Sequence, residues 1–348
     1  MPNKDDNPSI KNKGPYKSRG FRGPYLLERE NSMPSAIGKN LGKTLNYWRE
    51  NCDLYIMLLP SIAFYFIFRY VPIYGIVLAF KDYKFNLGIL NSPWIGFNVF
   101  KDVFKARLFW RAFNNTIWLN LLSLIVGFPL PVIFALILNE IRLTGYKRVV
   151  QSISYLPHFI SWVIMYGIIL ALTAKNTGIF NSMLLSSNKD QINFLTDKFW
   201  WLVIYVGSSI WKETGWQAIL YMSALTVIDP GLYEAAAIDG AGRWKRMVRI
   251  TLPGIKSTIV ILLILNIGKI MTIGFEKPYL LSNASVSDIG SVLSTYVYTL
   301  GIQRAQYSFT TAVGLFQSII NFSLLIAADQ IAKMLGEDGL FIRKAKNA

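Results

Sequence analysis

Lysine, glutamate and amide side chains stand inside long apolar stretches of this 348-residue sequence, and their chemistry has to be explained first. Asn266, Lys269, Glu276 and Lys277 interrupt the stretch 257–281. On one continuous helix, with Asn266 at 0°, they fall at about 0°, 300°, 280° and 20°, a polar stripe roughly 100° wide. Lys212 and Glu213 interrupt the stretch 199–226, with Trp211 beside them and Trp216 and Gln217 one turn on. A charge well inside a bilayer costs about 2.5–3.5 kcal/mol, so such groups usually face a bundle interior or a watery path. One reading has these two faces line a path for a polar solute, with the polar groups bonding it and Trp211 and Trp216 offering it ring faces. The other has Lys269 neutralised by Glu276, and Lys212 by Glu213, near the membrane interfaces, where lysine stems snorkel and tryptophans anchor. Spacing leaves both open.

The same inventory removes several chemistries. One cysteine, Cys52, and one histidine, His158, exclude a disulfide framework and any thiolate or imidazole metal cluster. No inward group of His, Asp or Cys is present to run a membrane-embedded enzyme, so no catalytic residue, metal or bound cofactor is expected. His158, behind Pro157 at the start of the stretch 149–173, reads as a hydrogen-bonded interfacial side chain rather than a proton relay. GKNLGKT at 38–44 resembles a phosphate-binding loop. It has three residues between Gly38 and the Gly42-Lys43 pair where four are needed, and no apolar strand precedes it. Any ATP has to be bound by a partner.

The elements that must carry these side chains follow from length. With 53% hydrophobic and 16% charged residues, the composition is that of a membrane protein. A spanning helix needs about 20 mostly apolar residues. Six stretches qualify, at about 54–80, 113–138, 149–173, 199–226, 257–281 and 306–328, which predicts an all-α, polytopic membrane protein with a six-helix transmembrane domain over 54–328. Internal prolines and glycines such as Pro60, Pro129 and Gly207 are tolerated where neighbours satisfy the freed backbone groups. With the N-terminus inside, the inner segments hold 22 lysines and arginines and the outer ones 10, so both termini are expected in the cytoplasm and the chain in the cell membrane. Residues 1–53, basic and rich in Gly and Pro with no apolar core of a signal peptide, read as a disordered cytoplasmic tail, and 329–348 as a second one. The net charge of +16 is accounted for by this inner bias rather than by nucleic acid.

Between the fourth and fifth stretches the chain interrupts itself with a cytoplasmic segment, 229–256. Asp229-Pro230 is a helix start, with a carboxylate to accept an orphan N–H and a proline suited to the first helical position. A short helix should run to about Ile238, with Glu234 near its positive end and Ala235, Ala236 and Ala237 small enough for close approach. Asp239-Gly240 supplies a turn. A second helix is predicted from about Gly242 to Leu252, where Pro253 ends it. At 100° per residue it puts Trp244, Met247 and Val248 on one face and Lys245, Arg246 and Arg249 on the other. Periodicity allows an amphipathic helix held on the inner leaflet by lipid headgroups, or a docking element for a soluble partner.

The pattern Glu234-Ala235-Ala236, Asp239-Gly240-Ala241, Ile250, Leu252-Pro253 resembles the EAA loop of membrane subunits of binding-protein-dependent ABC importers. Met247 stands where that family usually has Phe, and Ser257 where a second Pro is common. The resemblance extends from about Leu54 to Ala328 and is closest to maltose-type sugar permeases, in the branch that imports polysaccharide-derived oligosaccharides in Gram-positive bacteria. FRYVPIYGIVLAFKDYKF (68–85), Asn115-Thr116, YLPHFISWVI (155–164) and WKETGWQAILYMSAL (211–225) carry the branch, while WIGFNVF (94–100) has Val99 where Asn is usual. The resemblance implies a type I ABC importer transmembrane fold. It implies that the loop, through Glu234, Ala235, Ala236, Asp239, Gly240, Ala241, Trp244, Leu252 and Pro253, docks on an ATPase subunit carrying ATP and magnesium. A second, related permease subunit, an extracellular solute-binding lipoprotein and an oligosaccharide, suited to being acidic by Lys212, Lys269 and Lys277, are implied as partners. The competing class, an ion-coupled secondary transporter working alone, has no use for such a loop.

Overall fold

A computed structural model of the chain describes residues 51–334, 336, 339 and 340. The expected N-terminal tail lies outside these up to residue 50, as do GKNLGKT and most of the segment past Met334. The chain divides into two units, Met1–Arg69 and Tyr70–Ala348. In the first, α1 (Cys52–Tyr65) is a helix with no buried side chain and with Pro60 in its interior. Leu54, Ile56, Met57 and Leu59 are each more than half exposed, and Phe64 packs on Phe68 with ring centroids 4.9 Å apart. A helix apolar on all sides is built for lipid.

In the second unit a tightly wound stretch, Val71–Phe80, leads into the helices. These are α2 (Asn98–Lys105), α3 (Arg107–Gly127), α4 (Pro129–Glu140), α5 (Thr144–Tyr155), α6 (Trp162–Thr173), α7 (Ile179–Ser186) and α8 (Lys198–Leu225). There follow α9 (Pro230–Ile238), α10 (Arg243–Gly254), α11 (Lys256–Ile267), α12 (Glu276–Leu281), α13 (Leu293–Tyr298) and α14 (Tyr307–Met334). Among the described residues there is no strand, only an isolated bridge between Lys81 and Trp94.

Three helical stretches are long and apolar enough to cross a membrane, Cys52–Phe80, Arg107–Glu140 and Tyr307–Met334. They contain the expected spans 54–80 and 113–138, and the third begins one residue inside the expected 306–328. Two bent pairs raise the number to five if each is one span, Thr144–Phe159 with Trp162–Thr173 at 103° and Arg243–Gly254 with Lys256–Ile267 at 58°. α8 covers most of the expected fourth span with 28 residues but is not among the helices apolar enough to cross a membrane. Two expected spans are not single helices. The stretch 149–173 folds sharply behind Phe159, and the stretch 257–281 stops at Ile267 and resumes only at Glu276.

α8 is the central strut, lying along α4 and touching α3, α5 and α11. Its buried face carries Trp201, Tyr205, Ala218 and Tyr221. The Trp201 indole N–H donates to the Leu281 carbonyl at 2.8 Å, which satisfies the polar edge of a fully buried ring. The loop 282–305 is pinned to α3: the Asn115 amide donates to the carbonyls of Asp288 and Ser291, and the Leu293 N–H donates to the Thr116 hydroxyl at 2.9 Å. Lys198 pairs with Asp288 and holds its carboxyl below the usual carboxylate range.

Lipid offers helices no hydrophobic reason to associate, so close backbone approach at small residues matters more than in water. Gly215 is such a site. A Cβ there would lie 2.1 Å from the Ser154 carbonyl oxygen on α5, which is backbone and cannot swing away. Overpacking of this kind costs about 1–3 kcal/mol. Gly215→Val should lower the melting temperature of the purified assembly in detergent, whereas Gly207→Ala on the same helix, with nothing within 4 Å of its new methyl, should leave it unchanged.

Candidate functional site

The break after α11 is written in GKIMTIGF, residues 268–275, where two glycines bracket a segment that turns back on itself. Lys269 N–H reaches the Asn266 carbonyl and Thr272 N–H the Lys269 carbonyl at 2.7 Å. At Ile270, Met271 and Thr272 the segment also takes side-chain partners from two other helices. Asn120 on α3 donates to the Ile270 carbonyl at 2.6 Å. Asn321 on α14 accepts from the Met271 N–H at 3.0 Å and donates to the Thr272 hydroxyl at 2.9 Å, and Gln317, one turn earlier, donates to the Met271 carbonyl. An unsatisfied backbone group in hydrocarbon costs several kcal/mol, so non-helical backbone survives there only with partners of this kind. Met271 itself is fully buried and belongs to the same core cluster as Phe109 and Val313.

Beside this break lies a cavity of about 280 Å³ between α3, α8 and α11. Of the expected path residues, Glu213, Gln217, Asn266 and Lys269 line it. The other five do not, and each has its own setting. Lys212, buried, donates its ammonium to the carbonyls of Pro157, His158 and Ile160, three backbone oxygens exposed by the 103° fold of the third stretch. Trp216 stacks on the His158 ring at 4.4 Å and 2°, while His158 Nδ1 meets Glu213 at 3.1 Å. Trp211 is half exposed against a separate apolar hollow with Ile133 and Ile153. Lys277 is buried over the Tyr205 ring and bonds Ser209, and Glu276 is exposed.

The single stripe expected on 257–281 is therefore corrected. The wheel assumed 3.6 residues per turn through Lys277, and the non-helical segment from Gly268 to Phe275 resets the phase. Lys212 does not pair with Glu213 among the described residues: its ammonium is bonded by backbone carbonyls, and Glu213 meets His158 instead. Asn120, Gln317 and Asn321 were not anticipated, although an amide inside an apolar helix is costly for the same reason as a charge and could have been flagged by it.

The interruption 229–256 is built largely as its residues dictate. The Asp229 carboxylate accepts from the Gly231 N–H at 2.9 Å, and Pro230 opens α9. At the far end the Gly240 N–H reaches the Ala237 carbonyl and the Ala241 N–H the Ala236 carbonyl, with Gly240 at φ +73°, the paired closure that a left-handed residue allows. The second piece departs from expectation in two ways. It runs one residue past Pro253 to Gly254, and it widens into a π turn over Met247–Thr251. Of the face expected to be apolar, Met247 packs inward while Trp244 stays 75% exposed and Val248 is exposed too. The Tyr233 hydroxyl bonds the buried Thr251 at 3.1 Å and ties the two pieces into one hook. Glu234, Ile238 and Trp244 point away from the protein.

Comparison with known proteins places this geometry. The profile of the binding-protein-dependent transport system inner membrane component family matches residues 127–336. The chain is 46% identical over 288 residues to protein LplB of Bacillus subtilis, covering 83% of this chain and 91% of the relative. It is 43% identical to the polygalacturonan/rhamnogalacturonan transport system permease protein YteP of the same organism, covering 83% and 90%. Among solved structures, a chain of a bacterial alginate ABC transporter, crystallised with an alginate pentasaccharide-bound periplasmic protein, superposes with a TM-score of 0.77 at 40% identity. That match covers 85% of this chain and 99% of the other.

Removing the ammonium at the third-stretch fold leaves three carbonyls without their donor, at about 1–3 kcal/mol for a buried group so exposed. Lys212→Met should therefore melt measurably earlier than the parent assembly. Lys269→Met, at an exposed cavity side chain, should melt with the parent.

Proposed function

This chain belongs to the family of binding-protein-dependent transport system inner membrane components, and from that premise we propose that it forms one half of the translocation path of an ATP-driven importer for acidic, polysaccharide-derived oligosaccharides. The observation that carries the reading is the hook. It projects Glu234 and Trp244 from a bend that Gly240 alone makes possible, and a large exposed indole on a polar segment is a surface awaiting a groove. The groove belongs to an ATPase subunit, which holds the ATP and magnesium. A second permease completes the path, and an extracellular binding protein delivers the sugar. The acidic substrate class is supported by the relatives whose names include polygalacturonan and alginate, chains of uronic acids.

The membrane arrangement is part of the proposal. α8 is a crossing of its own, making six over 54–328, with the hook and both termini in the cytoplasm, as the distribution of lysine and arginine favours. Glu213, Gln217, Asn266 and Lys269 then face the solute near mid-depth, where a discontinuous helix offers backbone and side-chain polarity together. Nothing in this path needs a catalytic group. ATP binding on the partner moves the hook, and the helices joined to it open the cavity alternately to the two sides.

Co-purification with the cognate ATPase tests the premise. Glu234→Lys should reverse the charge offered to the groove, and Gly240→Pro demands a φ that proline does not have. Each should abolish co-elution and ATP-driven uptake while the parent retains both. Lys269→Gln should keep co-elution and lower uptake by about tenfold, the scale of one hydrogen bond to a charged group. Uptake by the reconstituted chain in the absence of ATP and ATPase would sink the importer reading.

A further inference from the structure

A second polar cavity, of about 630 Å³, opens where the first turns of α3, the end of α12 and the loop 282–305 come together. Arg111 and Arg304 line it, and no carboxylate does. Both arginines are exposed, and neither has an ion-pair partner among the described residues. Lys198, the cation that meets the same loop, is by contrast paired with Asp288. Two tyrosine rings, Tyr279 and Tyr296, and the hydroxyls of Ser291 and Thr295 share the lining. Tyr279 is held in place by ring contacts to Phe275 at 4.8 Å and Tyr298 at 5.6 Å.

We propose that this cavity is an entrance subsite for the carboxylate-bearing units of an anionic oligosaccharide. A guanidinium is a planar fork that matches a carboxylate with two parallel hydrogen bonds. Two such forks facing one space, with no acid to answer them, leave a charge that an anionic ligand neutralises. Tyrosine faces offer the apolar side of a pyranose a surface to stack on, and the hydroxyls bond its rim. The volume falls within the roughly 300–1,000 Å³ of ordinary ligand sites. The position is separate from the cavity at the helix break, which has no arginine, and a cationic mouth also raises the local concentration of an anionic solute. The subsite rests on the reading of the chain as an importer subunit whose loop 282–305 faces outward.

The test is equilibrium binding of trigalacturonate, and of its carboxyl-reduced neutral counterpart, to the complete purified importer without its binding protein. The parent should bind the acid in preference to the neutral sugar. R111Q/R304Q should bind the acid at least about tenfold more weakly, the loss expected for a charge-assisted hydrogen bond, with binding of the neutral sugar unchanged. R111K/R304K should recover part of the affinity, and co-elution with the ATPase shows that each variant is assembled. Parent-like binding of the acid by R111Q/R304Q overturns the subsite, as does equal binding of acid and neutral sugar by the parent. Loss of binding-protein association with sugar binding intact makes the arginines a protein-docking face and also overturns it. An importer that takes up no oligouronate at all fails the proposed function itself, whereas normal uptake with unaltered binding in the variant fails only the subsite.

Discussion

A peptide group in hydrocarbon has no water to fall back on, and the second unit of this protein is arranged around two places where helices break under that constraint. At the first, the fold behind Phe159, a single ammonium from Lys212 gathers the carbonyls of Pro157, His158 and Ile160. At the second, between Ile267 and Glu276, the amides of Asn120, Gln317 and Asn321 do the same for both donors and acceptors. The two solutions differ because the needs differ. The C-terminal end of a helix leaves carbonyls, which a cation suits, whereas a reversing turn leaves N–H and C=O together, which an amide suits.

These repairs also place the functional groups. Satisfying the second break draws α3, α11 and α14 together, and the space left beside it is the cavity that Glu213, Gln217, Asn266 and Lys269 share. Satisfying the first spends Lys212, and with it the residues of its turn. His158 is clamped between Glu213 and Trp216, so a charge and a ring that looked free to meet a solute are already occupied. Glu213 alone does both, touching His158 and the cavity.

Legibility in the sequence followed range. The hook was readable because its determinants are local: Asp229 caps its own helix, Gly240 supplies its own bend, and both act within four residues. Its inner face was less so, since the wheel groups Trp244, Met247 and Val248 by hydropathy alone, whereas only Met247 has a core to pack on and Trp244 stays outside. The helix breaks were hidden for the opposite reason. Hydropathy reports a window of side chains, and 257–281 is apolar enough on average to read as one span, but whether Gly268 ends a helix depends on Asn120 and Asn321, 148 positions before it and 53 after. The resemblance to importer subunits rested on the hook and survived these corrections, because membership depends on the segment where sequence speaks most directly.

α8 joins the parts into one lever. It begins at Lys198, bonded to the loop that carries Asp288, and ends at Leu225, four residues before Asp229 opens the hook. At 1.5 Å per residue its 28 residues make a rod about 42 Å long. The rod is keyed against rotation by Gly215 on the Ser154 backbone and by Lys212 in the third-stretch fold. Those contacts fix which face of the rod meets α5, so a tilt about its Lys198 end would move the hook end furthest and the cavity residues midway by about half as much.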